Sequence, residues 1–189
     1  LLDSGAKVIV VSPQMDAALE ALLPHENLIL ERRPYRPEDM AGARLAFAAT
    51  DDAALNRRIQ GDAVHRRVLC NVADRPELCD FILPAVVNQG DLSLAITTAG
   101  NSPALAKRLR RQLAAQYGPE YARLTALLGA IRGRLLTEGH DPEGHRRVFN
   151  DLLDDDLLGL LQRDDTAAID ELLAKCLGPG YNLSNLMSD

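Results

Sequence analysis

The stretch that decides the fold is Val68-Leu69-Cys70-Asn71-Val72-Ala73-Asp74, followed by Phe81-Ile82-Leu83-Pro84-Ala85-Val86-Val87 and by Leu92-Ser93-Leu94-Ala95-Ile96-Thr97-Thr98-Ala99-Gly100-Asn101-Ser102-Pro103. Val68 to Val72 is a short apolar run, the pattern of a strand buried on both faces. It stops at Asp74, a carboxylate just past a strand end, where open α/β sheets place their ligands. Ile82–Val87 and Leu92–Thr98, joined through Asn88-Gln89-Gly90-Asp91, predict a β-hairpin. In its second arm Leu92, Leu94 and Ile96 face one way and Ser93, Ala95 and Thr97 the other. The polar loop Thr97–Ser102 enters a helix through Pro103, a residue suited to the first helical position.

Upstream, short apolar runs alternate with helical spacing. Leu1–Ser4 ends a helix at Gly5, and Lys7–Val11 predicts a strand that Ser12-Pro13 stops. Met15, Ala18, Leu19 and Leu22 predict a helix ending before Pro24. Leu28–Leu30 and Leu45–Ala49 are two further strands, with Asp51 or Asp52 capping the helix that carries Leu55 and Ile59. This alternation predicts an α/β, Rossmann-like parallel sheet with helices on both faces. In that fold the Lys7–Val11 strand would be the second. No G-x-G-x-x-G occurs in the chain, so the first strand and its Gly-rich turn are expected upstream of Leu1, and the chain alone is expected to bind NAD weakly.

Downstream the chain turns helical. Leu105, Leu109 and Leu113 form one stripe, ended by Gly118-Pro119; Tyr121, Leu124, Leu128, Ile131 and Leu135 form a second, ending near Gly139. Asp141-Pro142 opens a third helix that buries Val148, Phe149 and Leu152. Two short helices follow the break at Asp154-Asp155-Asp156, and the polar tail from Tyr181 to Asp189 is expected to fray. The division expected is residues 1–75, a nucleotide-binding domain; residues 76–117, a hairpin and helix serving dimerisation; and residues 118–189, a C-terminal helical domain.

Composition narrows the function. The 189 residues are 47% hydrophobic and carry a net charge of -6, which argues against a general nucleic-acid binder. No apolar run approaches a membrane span. Cys70, Cys79 and Cys176 form no C-x-x-C pair, and reduced thiols in the cytoplasm are the plain reading. The histidines His25, His65, His140 and His145 show no structural-zinc spacing. Lys107, Arg108, Arg110 and Arg111 gather four positive charges on one helix. Lys107 and Arg111, four apart, share a face that suits carboxylates.

The motifs Cys-Asn-Val-Ala-Asp, Phe-Ile-Leu-Pro-Ala and Thr-Thr-Ala-Gly-Asn-Ser-Pro-Ala-Leu-Ala, in that order, resemble the siroheme synthase N-terminal family, from Leu1 to about Phe149. Members are precorrin-2 dehydrogenases, and some are also sirohydrochlorin ferrochelatases. The resemblance implies NAD as cofactor, precorrin-2 and sirohydrochlorin as tetrapyrrole ligands, ferrous iron as substrate where ferrochelation occurs, and a homodimer. It implies Asp74 as the catalytic residue, against a plain role as a turn cap. It implies cofactor contacts at Ser12, Pro13, Gln14, Thr50 and Asn71, whose plain roles are helix starts, a cap and a strand-end turn. Substrate contacts are expected at Thr98, Asn101, Ser102, Lys107 and Arg111. Thr97 and Thr98 lie where some relatives have a phosphorylatable serine. Where such a fold places an acid on the adenosine ribose, Ser12-Pro13-Gln14 has none, so the sequence does not separate NAD from NADP. The competing reading is a nucleotide-sensing Rossmann module without catalysis. The Asp74–Pro103 block favours the enzyme, because a sensor has no need of it. The hairpin's apolar face is expected to be buried by a second subunit, so charges at Leu94 and Ile96 are expected to give monomers or aggregates.

Overall fold

The computed structural model describes residues 1–139 and 141–187. The chain forms two compact units, Leu1–Ile82 and Leu83–Asp189. The hairpin and the helix after it therefore belong with the C-terminal helices, whereas residues 76–82 belong with the first unit.

In the first unit a 3₁₀ turn, Leu2–Ser4, ends at Gly5 in the left-handed conformation, and β1 (Val8–Val11) follows. β1 pairs in parallel with β2 (Leu28–Glu31), Val8 opposite Leu28. β3 (Leu45–Ala48) pairs in parallel with β4 (Leu69–Val72), Leu45 opposite Leu69 and Ala48 opposite Val72. The expected single sheet is thus present as two parallel pairs, and among the described residues no ladder joins them.

Parallel strands need a crossover, supplied here by α2 (Ala53–Arg66), which Asp52 caps by accepting from the Ala54 and Leu55 amides. Its Ile59 and Ala63 pack with Met40, Ala48, Val68, Cys70 and Val72 to make the core of this unit. The helix expected between Met15 and Pro24 is shorter: α1 spans Ala17–Glu20, with Asp16 as its cap. Leu22 and Leu23 beyond it are each 49% exposed, so no apolar face extends the helix.

In the second unit β5 (Ala85–Gln89) and β6 (Leu92–Ile96) form the antiparallel hairpin. Its first arm starts three residues later than expected. Gly90 turns it at a φ of 57°, and a side chain there would strike Ala122 at 2.9 Å, so glycine is needed twice over. α3 (Pro103–Gln116) and α4 (Glu120–Glu138) pack on the hairpin. Val87, opposite Leu94, is buried; Gln89, opposite Leu92, donates to Tyr117 O at 2.8 Å. Val87 on this face is buried within the chain, whereas Leu94 and Ile96 are half-buried. On α3 Ala106 is buried and Leu109 and Leu113 are half-buried, while Leu105 is 47% exposed, so Leu105 alone departs from the expected stripe.

α4 continues into α5 (Pro142–Asp154), α6 (Leu157–Gln162), α7 (Thr166–Leu177) and α8 (Leu183–Leu186). Leu127, Ile131, Leu152, Leu157, Leu161, Ile169 and Leu173 are wholly buried in one cluster. Truncating one of them to alanine costs about 2–5 kcal/mol. The expected fraying of the tail is corrected as well. Tyr181 is buried; its hydroxyl donates to Glu138 Oε2 at 2.6 Å, and the Arg134 guanidinium lies 4.0 Å from its ring centroid. The Leu183 amide donates to Asp170. Ser188 and Asp189 lie outside the described residues.

Burial and the Glu138 bond raise the Tyr181 hydroxyl from its ordinary value of 10.0 to about 12. A raised pKa means that this contribution is complete below pH 10 and is lost as the pH climbs toward 12. Thermal melting should show a steeper loss of stability between pH 10 and 12 for the wild type than for Tyr181→Phe. At pH 7 that variant should be less stable by about 0.5–1.5 kcal/mol.

Candidate active site

The parallel β3–β4 pair sets two loops side by side at the C-terminal ends of its strands. From them and from α2, residues Thr50, Asp51, Ala53, Asn56, Arg57 and Ala73–Arg75, with Leu78, line an open cleft of about 240 Å³. Thr50 and Asp74, both expected in the site, are thus brought together. Asn71 is not among the lining residues: its amide donates to Phe81 O at 2.8 Å. Ser12, Pro13 and Gln14 are not in the cleft either. Ser12 Oγ donates to Gln14 O at 2.5 Å and closes the turn after β1, leaving Pro13 and Gln14 exposed.

The Thr50 loop is built around Asn56, the one buried polar residue among those described. Its Oδ1 accepts from Thr50 N at 3.1 Å and from Thr50 Oγ1 at 2.8 Å, and its Nδ2 donates to Thr50 O at 2.9 Å. Thr50 is therefore a rigid wall of the cleft, held at three atoms by one side chain. The six-residue spacing Thr50–Asn56 is the signal that sequence reasoning passed over. Arg57 and Arg75 were also missed. Arg75 pairs with Glu77 at 3.7 Å, whereas Arg57 has no ion pair among the described residues.

Asp74 follows β4 with a φ of 57°, the left-handed region, which aspartate tolerates better than most residues. The bonds Ala73 N to Ala48 O and Arg75 N to Val72 O bracket it. Its side chain is exposed and makes no ion pair or hydrogen bond among the described residues, so the carboxylate is available to a proton donor in the cleft. Beneath it, burial pushes the Cys70 thiol up, reinforced by Asp80 and Cys79. Cys70 is thus an inert core residue, not a nucleophile.

In the second unit, the loop after β6 uses its side chains on itself. Thr98 Oγ1 accepts from Ser102 N at 3.0 Å, Asn101 Nδ2 donates to Thr98 O at 3.1 Å, and Ser102 Oγ caps α3 by accepting from Leu105 N. Ala99 and Gly100 both have positive φ, which folds the loop tightly before Pro103. Lys107, Arg108, Arg110 and Arg111 are exposed on α3, and none has an ion pair among the described residues. No cluster of three or more metal-ligating side chains occurs among the described residues; His140 lies outside them.

A nicotinamide dinucleotide is fitted only in part by what is present. The cleft is smaller than the roughly 300–1,000 Å³ of cofactor pockets, and the chain holds no Gly-rich phosphate turn. The strand-end cleft suits the reactive end of such a cofactor.

Residues 1–85 match the family model described as "Putative NAD(P)-binding", and residues 89–116 match "Sirohaem biosynthesis protein central". The chain is 34% identical over 182 residues to a siroheme synthase of Thioalkalivibrio sulfidiphilus, covering 96% of this chain and 37% of that protein. It is 37% identical over 150 residues to a siroheme synthase of Pseudomonas fluorescens, covering 79% of this chain and 32% of that protein. Its structure resembles that of SirC, precorrin-2 dehydrogenase, with a TM-score of 0.71 and 25% identity, over 93% of this chain and 84% of that one. The chain spans about a third of the length of the curated relatives it matches.

Replacing Asn56 by alanine should strand the Thr50 loop's buried polar atoms and cost about 1–3 kcal/mol. Urea denaturation of Asn56→Ala against wild type measures this, and an unchanged midpoint would contradict the bracing role.

Proposed function

Because the chain belongs to the siroheme synthase N-terminal family, we propose that it oxidises precorrin-2 to sirohydrochlorin with NAD. The observation that carries the reading is Asp74: a free carboxylate in a left-handed turn at the end of β4, sharing a cleft with Thr50. A nicotinamide bound at the strand ends supplies the hydride acceptor. Asp74 takes the proton that leaves with the hydride and returns it to solvent through the open side of the cleft. Ser12, Pro13 and Gln14 hold the adenosine side and Thr50 the nicotinamide side; Asn71 contributes through the segment that it anchors. NAD is proposed over NADP on the ground of charge. Ser12–Gln14 offers no cation for a phosphate, and the arginines after β2 are engaged, Arg32 with Glu20 and Arg33 with Asp39.

In the second unit, Lys107 and Arg111 take carboxylates of the tetrapyrrole. Thr98, Asn101 and Ser102 shape the loop that precedes them. In a bifunctional protein, ferrous iron would enter as a second substrate, with Asp74 accepting the pyrrole protons. We assign a homodimer to the hairpin's other face, where Val86 is 39% exposed opposite Ala95, and to its unpaired edges. Among the described residues no helix is long and apolar enough to cross a membrane. We place the protein in the cytoplasm, where three free thiols are stable. Residues 1–75, 76–117 and 118–189 remain the functional division proposed: cofactor, assembly and a helical support.

The test is Asp74→Asn, which tolerates the same φ and removes only the base. Precorrin-2 oxidation should fall by about 10²- to 10⁴-fold, while the melting temperature and NAD binding stay at wild-type values. A lowered melting temperature with near-normal turnover would make Asp74 a turn cap.

A further inference from the structure

The left-handed turn that presents Asp74 is held by a segment to which no role has been given. Strained backbone persists only where its surroundings over-determine it. Here the determinants lie in Cys79-Asp80-Phe81, which folds back along β4. The Val72 amide donates to Cys79 Sγ at 3.2 Å, and the thiol's single proton lies within reach of Val72 O and Arg75 O, each at 3.2 Å. Cys79 therefore grips the chain on both sides of Asp74. One residue on, Asp80 Oδ2 accepts from the Cys70 amide at 2.8 Å, and the Asp80 amide donates to Cys70 O at 2.8 Å. Asn71 Nδ2 closes the set on Phe81 O, and the Phe81 ring stands edge-on to Phe47 at 5.5 Å. The outward amides of β4 at Cys70 and Val72 are thus satisfied by side chains of this segment rather than by another strand.

We infer that the Cys79–Phe81 segment is a clamp that positions Asp74, with the Cys79 thiol as its positioning residue. The inference rests on the proposed role of Asp74. Cys79 is not among the residues lining the cleft; its thiol fixes the two peptide groups, at Val72 and Arg75, between which Asp74 must sit. Loosening it leaves the carboxylate in place chemically but displaces it, and a displacement of about 1 Å can cost of the order of 10²-fold in rate. A residue that works only through Asp74 has no effect once the Asp74 carboxylate is gone.

Two readouts on the native protein keep this inference separate from the functional reading. Hydrogen exchange needs no substrate. In Cys79→Ala the Val72 and Arg75 amides should exchange at least tenfold faster, with Ile59 and Ala63 in α2 unchanged; unaltered exchange overturns the clamp. In turnover of precorrin-2 with NAD, Cys79→Ala should lower kcat about tenfold or more with KM within about twofold. Cys79→Ser, which keeps a donor and an acceptor, should recover most of the rate. In an Asp74→Asn background the alanine change should cost nothing further. A full-rate alanine variant, or an equal loss in both backgrounds, overturns positioning. Should Cys79→Ala not fold, Cys79→Ser must outpace Cys79→Val by about tenfold, and equal rates overturn it. Failure of the wild type to oxidise precorrin-2 would refute the function and leave the exchange result to decide the clamp.

Discussion

The candidate site depends on one register: Ala48 opposite Val72 in a parallel pair. Because the strands run the same way, their C-terminal loops emerge at the same edge, and the crossover helix α2 starts beside them. A single set of backbone hydrogen bonds therefore decides that Thr50 and Asp74, 24 positions apart in sequence, share a cleft. Sliding the register by one residue would turn Cys70 and Val72 out of the core and exchange the faces of the strand. The buried side of β4 and the position of Asp74 are one constraint.

The two units are stabilised differently. The second is a leucine and isoleucine cluster among long helices, a packing problem solved by area and shape. The first has short strands, a smaller core, and loops tied by side chains to backbone: Asp52 to α2, Asn56 to Thr50, Cys79 to Val72 and Arg75. Side-chain ties of this kind hold loops in conformations that hydrophobic burial alone does not specify, which is what a site at strand ends requires.

Much of this was legible in the chain because the signals were local. The apolar runs at Val8–Val11, Leu45–Ala48 and Leu69–Val72, the alternation in Leu92–Ile96, and Ser102-Pro103 and Asp141-Pro142 each encode their element within a few residues. The rest depends on partners far away in sequence. Tyr181 looked like part of a polar tail because its partner Glu138 is 43 residues distant. Asn71 was expected as a cofactor contact, and nothing near it in sequence announces that its side-chain amide donates to Phe81 O. Leu94 and Ile96 were legible as one face of the hairpin, but the packing of α3 and α4 on that hairpin was not, because both helices come later in the chain. Asp74 was legible by position and by family resemblance, yet its left-handed φ, and the thiol that holds it, were not.

Asp74→Gly offers the most direct measurement of the claim that Asp74 is the base. Glycine adopts the same positive φ without strain, so the turn keeps its shape and only the carboxylate is lost. Turnover of precorrin-2 with NAD by this variant should be close to abolished, then restored saturably by added formate and not by chloride. Near-wild-type turnover by Asp74→Gly without formate would contradict the account.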